Sequence, residues 1–481
     1  MAADPKVVPP AHRPTLQDLW ALLGLAVLWA VLFLPAAATR ALHYEEGRRA
    51  FAALDILGHG HWLIPQVLGV DYLAKPPLLP WAIALMGALT GDIGVWAVRA
   101  LPLIATLAMA AAAYGLARRY AGPVVALLAG AACLTMPTIL EKGAVGETDT
   151  TVTACVFLAY AVWIRATEAG RVHLGAMLVA ALLLAVAGLT KGPIPLGFFA
   201  LGAGLLAVWQ RRWGDLPRLV AVLALGLVPL GAWALAVFDP GTTGLWRSEM
   251  RLSSTPYGTW DYLWGRGQYL GDLTAVYMPW VIAAGLALWQ ARRWDGPKRR
   301  LVLALALYAL PFGTLVALSP AAAPRYAMPA VPAVAVVAAL GIAGLWGHRL
   351  MRIAAVASVV ILTGLQLSAT SGLIPFRTEL FTYGPLAGDA IAARIGDDAA
   401  PVVVLGDTLD FNVLYHVGRP ITRVVADDAD SLPVPSWVLT TPQVTGALDP
   451  AMADRLGPLQ LTVHGRRGAP ILLYRLDGAG S

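Results

Sequence analysis

Two acidic side chains stand next to each other near the start of the chain, in the run Glu45-Glu46-Gly47-Arg48. An acidic pair can act as a general base, hold a metal ion or bind the hydroxyls of a sugar. Acids also favour the first turn of a helix, so the pair is equally typical of a helix start. Residues 48–57, which follow, are amphipathic and predict a helix lying in a membrane interface.

A second acidic group, Glu147-Thr148-Asp149, stands directly before an apolar run. These acids could cap the helix that follows, or they could line a cavity together with the first pair. Lys191, in Lys191-Gly192-Pro193, lies between two later apolar runs, and a lysine at a membrane boundary is a functional candidate by default. The predicted orientation puts these acids and Lys191 on the same outward face as the first pair, which favours the cavity over the cap.

A lysine directly before two prolines could hold a phosphate. Lys75 precedes Pro76-Pro77, which restrain its backbone, and Tyr72 is a natural interfacial anchor. Lys75 is thereby placed to present its ammonium group to a lipid phosphate. A lysine that only reaches out to the membrane surface is the commoner alternative.

Arginines form the third group of candidates. Arg251 lies four residues after Arg247 and shares its face if that segment is helical, whereas Arg325-Tyr326 stand at the start of another apolar run. A guanidinium fork suits a phosphate. For Arg325, pairing with an acid is the alternative.

The elements that carry these residues are mostly membrane helices. Hydrophobic residues make up 58% of the 481 residues and charged residues only 13%, whereas soluble domains carry about a quarter charged residues. This composition excludes one large soluble domain. Cys133 and Cys155 lie in apolar runs and offer neither a disulfide framework nor metal-ligand spacing. We expect the first apolar run to be a retained span and not a removed signal peptide.

Twelve apolar stretches predict helices. They lie at 18–38, 78–91, 95–117, 122–140, 150–167, 173–190, 193–209, 218–238, 270–290, 301–319, 327–346 and 352–371. The stretch 78–91 is short for a span. Two apolar stretches lie between the outward loop 39–77 and cytoplasmic Arg118, where the orientation allows only an odd number of crossings. We therefore predict eleven full spans and one re-entrant or surface segment, within a polytopic α-helical protein of about 11–13 transmembrane helices.

Basic clusters predict the orientation, because lysine and arginine mark cytoplasmic loops. The candidates then lie on the outward face, in the loops 39–77, 141–149 and 239–269 and in the shorter connections 191–192 and 320–326, within a membrane domain of residues 1–375. Residues 376–481 alternate short apolar runs with turn residues and predict a small soluble α/β domain on the periplasmic side. Its predicted strands are 401–405, 437–439 and 471–474, and its predicted helix is 385–396.

Taken in order, these segments resemble the C-type superfamily of dolichyl- and polyprenyl-phosphate-sugar glycosyltransferases. The bacterial relatives of lipid A aminoarabinose transferase and the protein O-mannosyltransferases are the most similar, over residues 18–345. The matching segments are the acidic pair with Arg48, Gly60–Pro65, Gly69–Pro76, Asp149, Lys191-Gly192-Pro193 and Arg325–Pro332. The family usually begins its acidic pair with aspartate. Glu45 stands there in this chain, which leaves open whether Glu45 or Glu46 is the base, and Glu147 competes with Asp149 at the second site.

The resemblance implies a C-type glycosyltransferase fold and an inverting transfer of a monosaccharide from polyprenyl (undecaprenyl) phosphate to an envelope lipid, glycan or protein. The first-loop acid would deprotonate or orient the acceptor, and basic groups would stabilise the departing lipid phosphate. The implied catalytic residues are Glu45, Glu46 and Asp149, and the implied substrate-binding residues are Arg48, Tyr72, Lys75, Glu147, Lys191, Arg251, Arg325 and Tyr326. Membrane lipids are expected partners and nucleic acid is not. No cofactor is required, and a divalent metal ion is left open. The protein would lie in the bacterial inner membrane with its site and C-terminal domain outside the cytoplasm.

A transporter or flippase of lipid-linked sugars is the alternative function. It would predict charged residues inside the spans and two halves of similar pattern. The charges cluster in the outer loops instead, and the halves do not mirror each other. A scaffold with inert spans would leave the acidic pair of the first loop unexplained.

Overall fold

The computed structural model describes residues 15–238, 259–294, 296–318, 323–374, 379–406 and 409–477. The chain divides into two compact units. The first unit contains Met1–Ala36, Ala74–Leu79 and Leu101–Ser368, and the second contains Ala37–Leu73, Pro80–Ala100 and Ala369–Ser481. The second unit thus combines the C-terminal region with two segments that the sequence prediction placed in the membrane domain.

Most of the predicted apolar stretches are helical, but the predicted stretch 270–290 is divided between two helices, the first of which begins at Thr259 inside the predicted outer loop 239–269. The described helices are α1 Leu16–Thr39, α2 Glu46–His59, α3 Leu78–Thr90, α4 Val95–Ala117, α5 Pro123–Leu134, α6 Pro137–Lys142, α7 Thr148–Glu168, α8 Leu174–Lys191, α9 Ile194–Trp209, α10 Leu216–Ala236, α11 Thr259–Tyr277, α12 Trp280–Gln290, α13 Gly296–Leu318, α14 Val331–Ala343, α15 Arg349–Thr370, α16 Glu379–Ile395, α17 Phe411–His416, α18 Pro442–Thr445 and α19 Pro450–Arg455. Short 3-10 helices lie at Trp213–Asp215, Pro324–Ala330, Ala426–Ser431 and Arg466–Gly468.

Eight of these helices, within the described ranges, are long and apolar enough to cross a membrane: α1, α4, α7, α8, α10, α13, α14 with the 3-10 turn before it, and α15. The pair α11 and α12 would be a ninth span, bent by 92°, and α3, α5 and α9 are shorter apolar helices. The predicted multi-span membrane protein is therefore confirmed. The predicted stretch 122–140 is interrupted, because Pro137 begins a new helix after Thr135 and Met136.

Helix α7 lies in the interior of the first unit, whereas α15 lies at its surface. Within the described residues, 83% of the apolar segment of α7 is buried, but only 11% of the apolar segment of α15. Tyr160 of α7 stacks on Tyr308 of α13 with ring centroids 4.5 Å apart, and it donates a hydrogen bond to the Ala304 carbonyl. Asp149, in the first turn of α7, is consequently placed inside the first unit and not on its lipid-facing surface.

The strands form one small ribbon and one larger sheet. They are β1 Gln66–Val67, β2 Val70–Asp71, β3 Val402–Leu405, β4 Ile421–Val424, β5 Ser436–Thr440, β6 Leu459–His464 and β7 Pro470–Leu476. The larger sheet has the order β4-β3-β5-β7-β6, in which β3 runs parallel to β4 and β5 and the remaining pairs are antiparallel. Val403 pairs with Val438 in the buried centre, where both are fully covered. These strands and α16 agree with the predicted α/β pattern of the C-terminal region.

Candidate active site

Glu46, at the start of α2, is completely buried and forms a forked ion pair with Arg99 of α4. Arg99 Nε donates to Glu46 Oε1 at 2.7 Å and Nη2 donates to Oε2 at 2.6 Å, and both side chains are 0% exposed. Arg99 also donates to the carbonyls of Ala37, Arg40 and Ala41 at the end of α1. This arginine therefore ties the C-terminus of α1 to the start of α2.

His43 completes the surroundings of the Glu46 carboxylate. The backbone N–H of His43 and its Nδ1 both lie 3.0 Å from Glu46 Oε2, so Glu46 reaches back to the segment that precedes the helix. Burial alone would raise the pKa of the Glu46 carboxyl, but the charges and hydrogen bonds of Arg99 and His43 outweigh burial and hold that pKa far below its ordinary value. Glu46 is thus a fixed anion without contact to solvent.

Glu45 has the opposite environment. Its side chain is 46% exposed and lies 3.1 Å from Arg48 Nη1. Glu45 is the N-cap residue of α2, yet its side chain makes no capping hydrogen bond. The acidic pair thus stands at a helix start, as the alternative explanation predicts, but Glu45 does not cap the helix through its side chain. Of the two predicted acids, Glu45 is the one whose carboxylate a substrate can reach.

Asn412, in α17 of the C-terminal region, holds the backbone on both sides of Glu45. Its Nδ2 donates to the Tyr44 carbonyl at 3.0 Å, and its Oδ1 accepts from the Gly47 N–H at 3.1 Å. The approach is so close that a Cβ added to Gly47 would lie 2.6 Å from the Phe411 carbonyl oxygen. Glycine is therefore required at 47, and the acidic turn is packed against α17.

Tyr44 has a left-handed backbone conformation directly before Glu45, with φ 54°. Such a conformation is unfavourable for a large side chain and persists only where the surroundings hold it in place. The Arg466 guanidinium lies 5.1 Å from the Tyr44 ring, and Asn412 binds the Tyr44 carbonyl. The turn that presents Glu45 is therefore fixed by its neighbours and not by its own conformational preference.

The second acidic group forms two ion pairs at the start of α7. Lys191 Nζ contacts Asp149 Oδ1, and Lys142 Nζ lies 3.1 Å from Glu147 Oε2. Both acids are buried, and Glu147, the N-cap residue of α7, makes no capping hydrogen bond with its side chain. Asp149 and Lys191, which the sequence analysis places on one outward face, form an ion pair, and Lys142 is an additional basic member of this group.

Arg325 and Tyr326 belong to the same group of residues in the first unit. The Tyr326 ring lies 5.2 Å from Lys191 Nζ and 5.4 Å from the Arg325 guanidinium. Asp149 and Glu147 lie within electrostatic range of Arg325. The structure thus brings three cations, a tyrosine and two carboxylates together at the ends of α7 and α8.

The remaining predicted residues are distributed differently. Tyr72 is 7% exposed and its ring lies 5.2 Å from the Arg49 guanidinium, so it is a packing residue with an aromatic face covered by a cation. Lys75 is partly exposed in the first unit, directly before α3. Arg251 lies outside the described residues. Because Glu45 belongs to the second unit and Asp149 to the first, their predicted common face stays a prediction.

The acids of the candidate site do not form a metal-ligand group among the residues that the structure describes. Glu45, Glu46, Glu147 and Asp149 are each paired with a lysine or an arginine. One group of three metal-type ligands occurs in the described ranges, and none of these acids belongs to it. The question of a catalytic divalent ion, left open by the sequence, therefore stays open.

Arg99, Asn412 and Lys142 are the residues of the candidate site that the sequence prediction missed. A single arginine inside the apolar run 95–117 is a signal in itself, because a charge at that depth needs a partner. Asn412 carries no local signal, since its two contacts lie more than 360 positions away in the chain.

Known proteins are similar to this chain in sequence. A family model described as dolichyl-phosphate-mannose-protein mannosyltransferase matches residues 74–233. The undecaprenyl phosphate-alpha-4-amino-4-deoxy-L-arabinose arabinosyl transferase 1 of Pseudomonas fluorescens is 27% identical over 391 residues, which cover 76% of this chain and 67% of the relative. A transferase of the same name from Pseudomonas aeruginosa is 30% identical, over 60% of this chain and 53% of the relative. The matches thus span between 53% and 67% of the length of these relatives.

The fold is similar as well. ArnT from Cupriavidus metallidurans, solved bound to undecaprenyl phosphate, matches with a TM-score of 0.73 at 19% sequence identity, over 96% of this chain and 100% of that chain. A likeness at this identity shows a common fold. The predicted C-type glycosyltransferase fold is therefore confirmed.

Proposed function

Because this chain belongs to the C-type superfamily of polyprenyl-phosphate-sugar glycosyltransferases, we propose that it transfers a monosaccharide from a polyprenyl phosphate to an acceptor in the cell envelope. The observation that carries this proposal is the contrast between the two first-loop acids. Glu46 is buried in an ion pair with Arg99, while Glu45 is half exposed on a turn that buried contacts hold rigid.

In the proposed reaction Glu45 is the general base. It accepts the proton of the acceptor hydroxyl as that oxygen attacks the anomeric carbon of the sugar. The bond between the anomeric carbon and the lipid phosphate oxygen breaks, and the phosphate leaves with the electron pair. Attack opposite the leaving group inverts the anomeric carbon. A positioned general base contributes about 10²–10⁴-fold in rate.

The departing lipid phosphate needs positive charge near it. In the proposal Lys75, Arg325 and Arg251 supply it, because preorganised cations stabilise charge that develops in the transition state. Asp149 holds Lys191 beside the Tyr326 ring and so keeps a further cation in a fixed place. In the proposal the ammonium group of Lys191, held in place by Asp149, helps to bind the anionic phosphate.

The donor class follows from the relatives. Two relatives are named for a transfer of 4-amino-4-deoxy-L-arabinose from undecaprenyl phosphate, and one solved structure holds undecaprenyl phosphate. We take undecaprenyl phosphate as the carrier, and a lipid A or another envelope glycan as the acceptor. The predicted orientation places the reaction on the periplasmic face, where nucleotide sugars are absent.

A reconstituted assay tests the proposal. The purified chain is incubated with a panel of undecaprenyl-phosphate monosaccharides, beginning with 4-amino-4-deoxy-L-arabinose, and with lipid A as acceptor. Mass spectrometry should detect free undecaprenyl phosphate together with a glycosylated acceptor for at least one donor. A flippase would instead move the donor across the membrane of proteoliposomes and leave the bond between sugar and phosphate intact. Transport of the donor without release of undecaprenyl phosphate would contradict the proposal.

A further inference from the structure

Three metal-type ligands meet at the C-terminal end of α2, apart from the candidate active site. His59 and His61 lie on either side of Gly60, whose left-handed conformation, with φ 74°, turns the chain at the end of the helix. Asp55 stands one helical turn before His59 on the same face. The arrangement brings both imidazole rings over one carboxylate.

The distances are short enough for a common ion. His59 Nδ1 lies 3.0 Å from Asp55 Oδ1, and His61 Nδ1 lies 3.0 Å from Asp55 Oδ2. One ligand atom from each of the three residues lies within 4.8 Å of the other two. A tetrahedral ion with bonds of about 2.0–2.2 Å holds its ligand atoms about 3.4 Å apart. Small side-chain rotations therefore suffice to enclose an ion.

The carboxylate is held in place by the chain that follows. The backbone N–H of Gln66, at the start of β1, donates to Asp55 Oδ2 at 2.7 Å, and the Gln66 side chain donates to Asp71 of β2. Asp55 is nearly covered, with 10% of its side chain exposed, whereas His59 is 70% and His61 43% exposed. A buried, oriented carboxylate with two accessible imidazoles is an arrangement that an ion from solution can enter.

We propose that Asp55, His59 and His61 bind one divalent transition-metal ion of the zinc class, with water as the fourth ligand. Two imidazoles and one carboxylate suit zinc and its neighbours, whereas magnesium and calcium prefer sites built from oxygen alone. In the proposed complex each imidazole binds the ion through Nδ1 and carries its hydrogen on Nε2.

The bound ion fixes the chain between α2 and the ribbon of β1 and β2. It joins Asp55 of the helix to His61 of the following segment, while the Gln66 N–H already ties that carboxylate to β1. The same segment leads to Tyr72. The site is therefore a structural metal site that stabilises the second unit. It contains none of the residues assigned to sugar transfer.

Metal binding to the full chain tests this proposal without reference to transfer activity. The protein is purified with an affinity tag that contains no histidine, stripped with a chelator, and titrated with Zn²⁺ by calorimetry. Co²⁺ is used in parallel, and its absorption spectrum reports the coordination. We expect one saturable site per chain, with nitrogen and oxygen ligands at about 2.0–2.2 Å in X-ray absorption.

Variants locate the site. His61→Gln and Asp55→Asn should each lower the affinity for Zn²⁺ by at least about tenfold. Replacing the exposed His464, which belongs to no such group among the described residues, by glutamine should leave it unchanged. Zn²⁺ should also raise the unfolding temperature of the stripped wild-type chain and of His464→Gln, but not that of Asp55→Asn. The proposal is overturned if the wild-type chain shows no saturable Zn²⁺ binding. It is also overturned if variants that unfold at the wild-type temperature without metal bind Zn²⁺ as tightly as the wild-type chain does.

Discussion

The buried pair of Glu46 and Arg99 gives the sharpest prediction about stability. Replacing Glu46 by glutamine removes one charge and leaves the Arg99 guanidinium buried against a neutral amide. Both side chains are 0% exposed, and two charge-assisted hydrogen bonds of 2.6 and 2.7 Å join them. Breaking one partner of such a pair costs about 3–5 kcal/mol, because the remaining buried charge loses its counter-ion. We expect a loss of this size in the free energy of unfolding.

The assay is denaturant unfolding of the purified protein in mixed micelles, followed by tryptophan fluorescence. Glu379→Gln, an exposed glutamate of the same unit, is the matched control and should change the free energy of unfolding by no more than about 0.5 kcal/mol. The double variant Glu46→Gln with Arg99→Met should be less destabilised than the sum of the two single variants, because it removes both charges together. The reasoning is refuted if Glu46→Gln unfolds like wild type, or if the two effects add.

Three further predictions concern the same unit and the donor. Gly47→Ala should destabilise the protein by about 1–3 kcal/mol, since its Cβ meets the backbone of α17; Gly58→Ala, with open space around it, is the control, and equal unfolding midpoints would contradict the close approach. The lowered pKa of Glu46 means that its stabilisation is complete above its ordinary pKa of 4.5 and is lost as the pH falls below that value toward the lowered folded-state pKa. Unfolding measured from pH 7 to pH 3 should show this acid loss in wild type and a smaller one in Glu46→Gln. Lys75→Ala should weaken donor binding by roughly tenfold if its ammonium contacts the lipid phosphate; unchanged affinity in a titration with labelled donor would remove Lys75 from the site.

Much of the fold could be predicted from local patterns. Apolar stretches of helix length predicted the membrane helices, because each must satisfy its backbone within itself. Amphipathic spacing after the acidic pair predicted α2, and short apolar runs between turn residues predicted β3, β5 and β7. These features depend on neighbours within a few positions, which a sequence displays directly.

Local patterns could not predict which acid of the pair is buried in an ion pair and which is exposed. Glu45 and Glu46 are identical side chains at adjacent positions. Their environments differ because Arg99, which lies 53 residues after Glu46 in the chain, pairs with Glu46. Asn412 fixes the same turn from a still more distant part of the chain. Such pairings depend on which helices pack together. The lone arginine in the apolar run 95–117 is the one local feature that indicates a buried charge in need of a partner.

The most direct test of the account is the transfer activity of Glu45→Gln. With the lipid-linked sugar that supports turnover of the wild-type protein, this variant should lose about 10²–10⁴-fold in rate, while donor affinity and the unfolding transition stay at wild-type values because Glu45 is half exposed. Glu379→Gln should transfer at the wild-type rate. Undiminished transfer by Glu45→Gln would contradict the assignment of Glu45 as the base and, with it, the proposed mechanism.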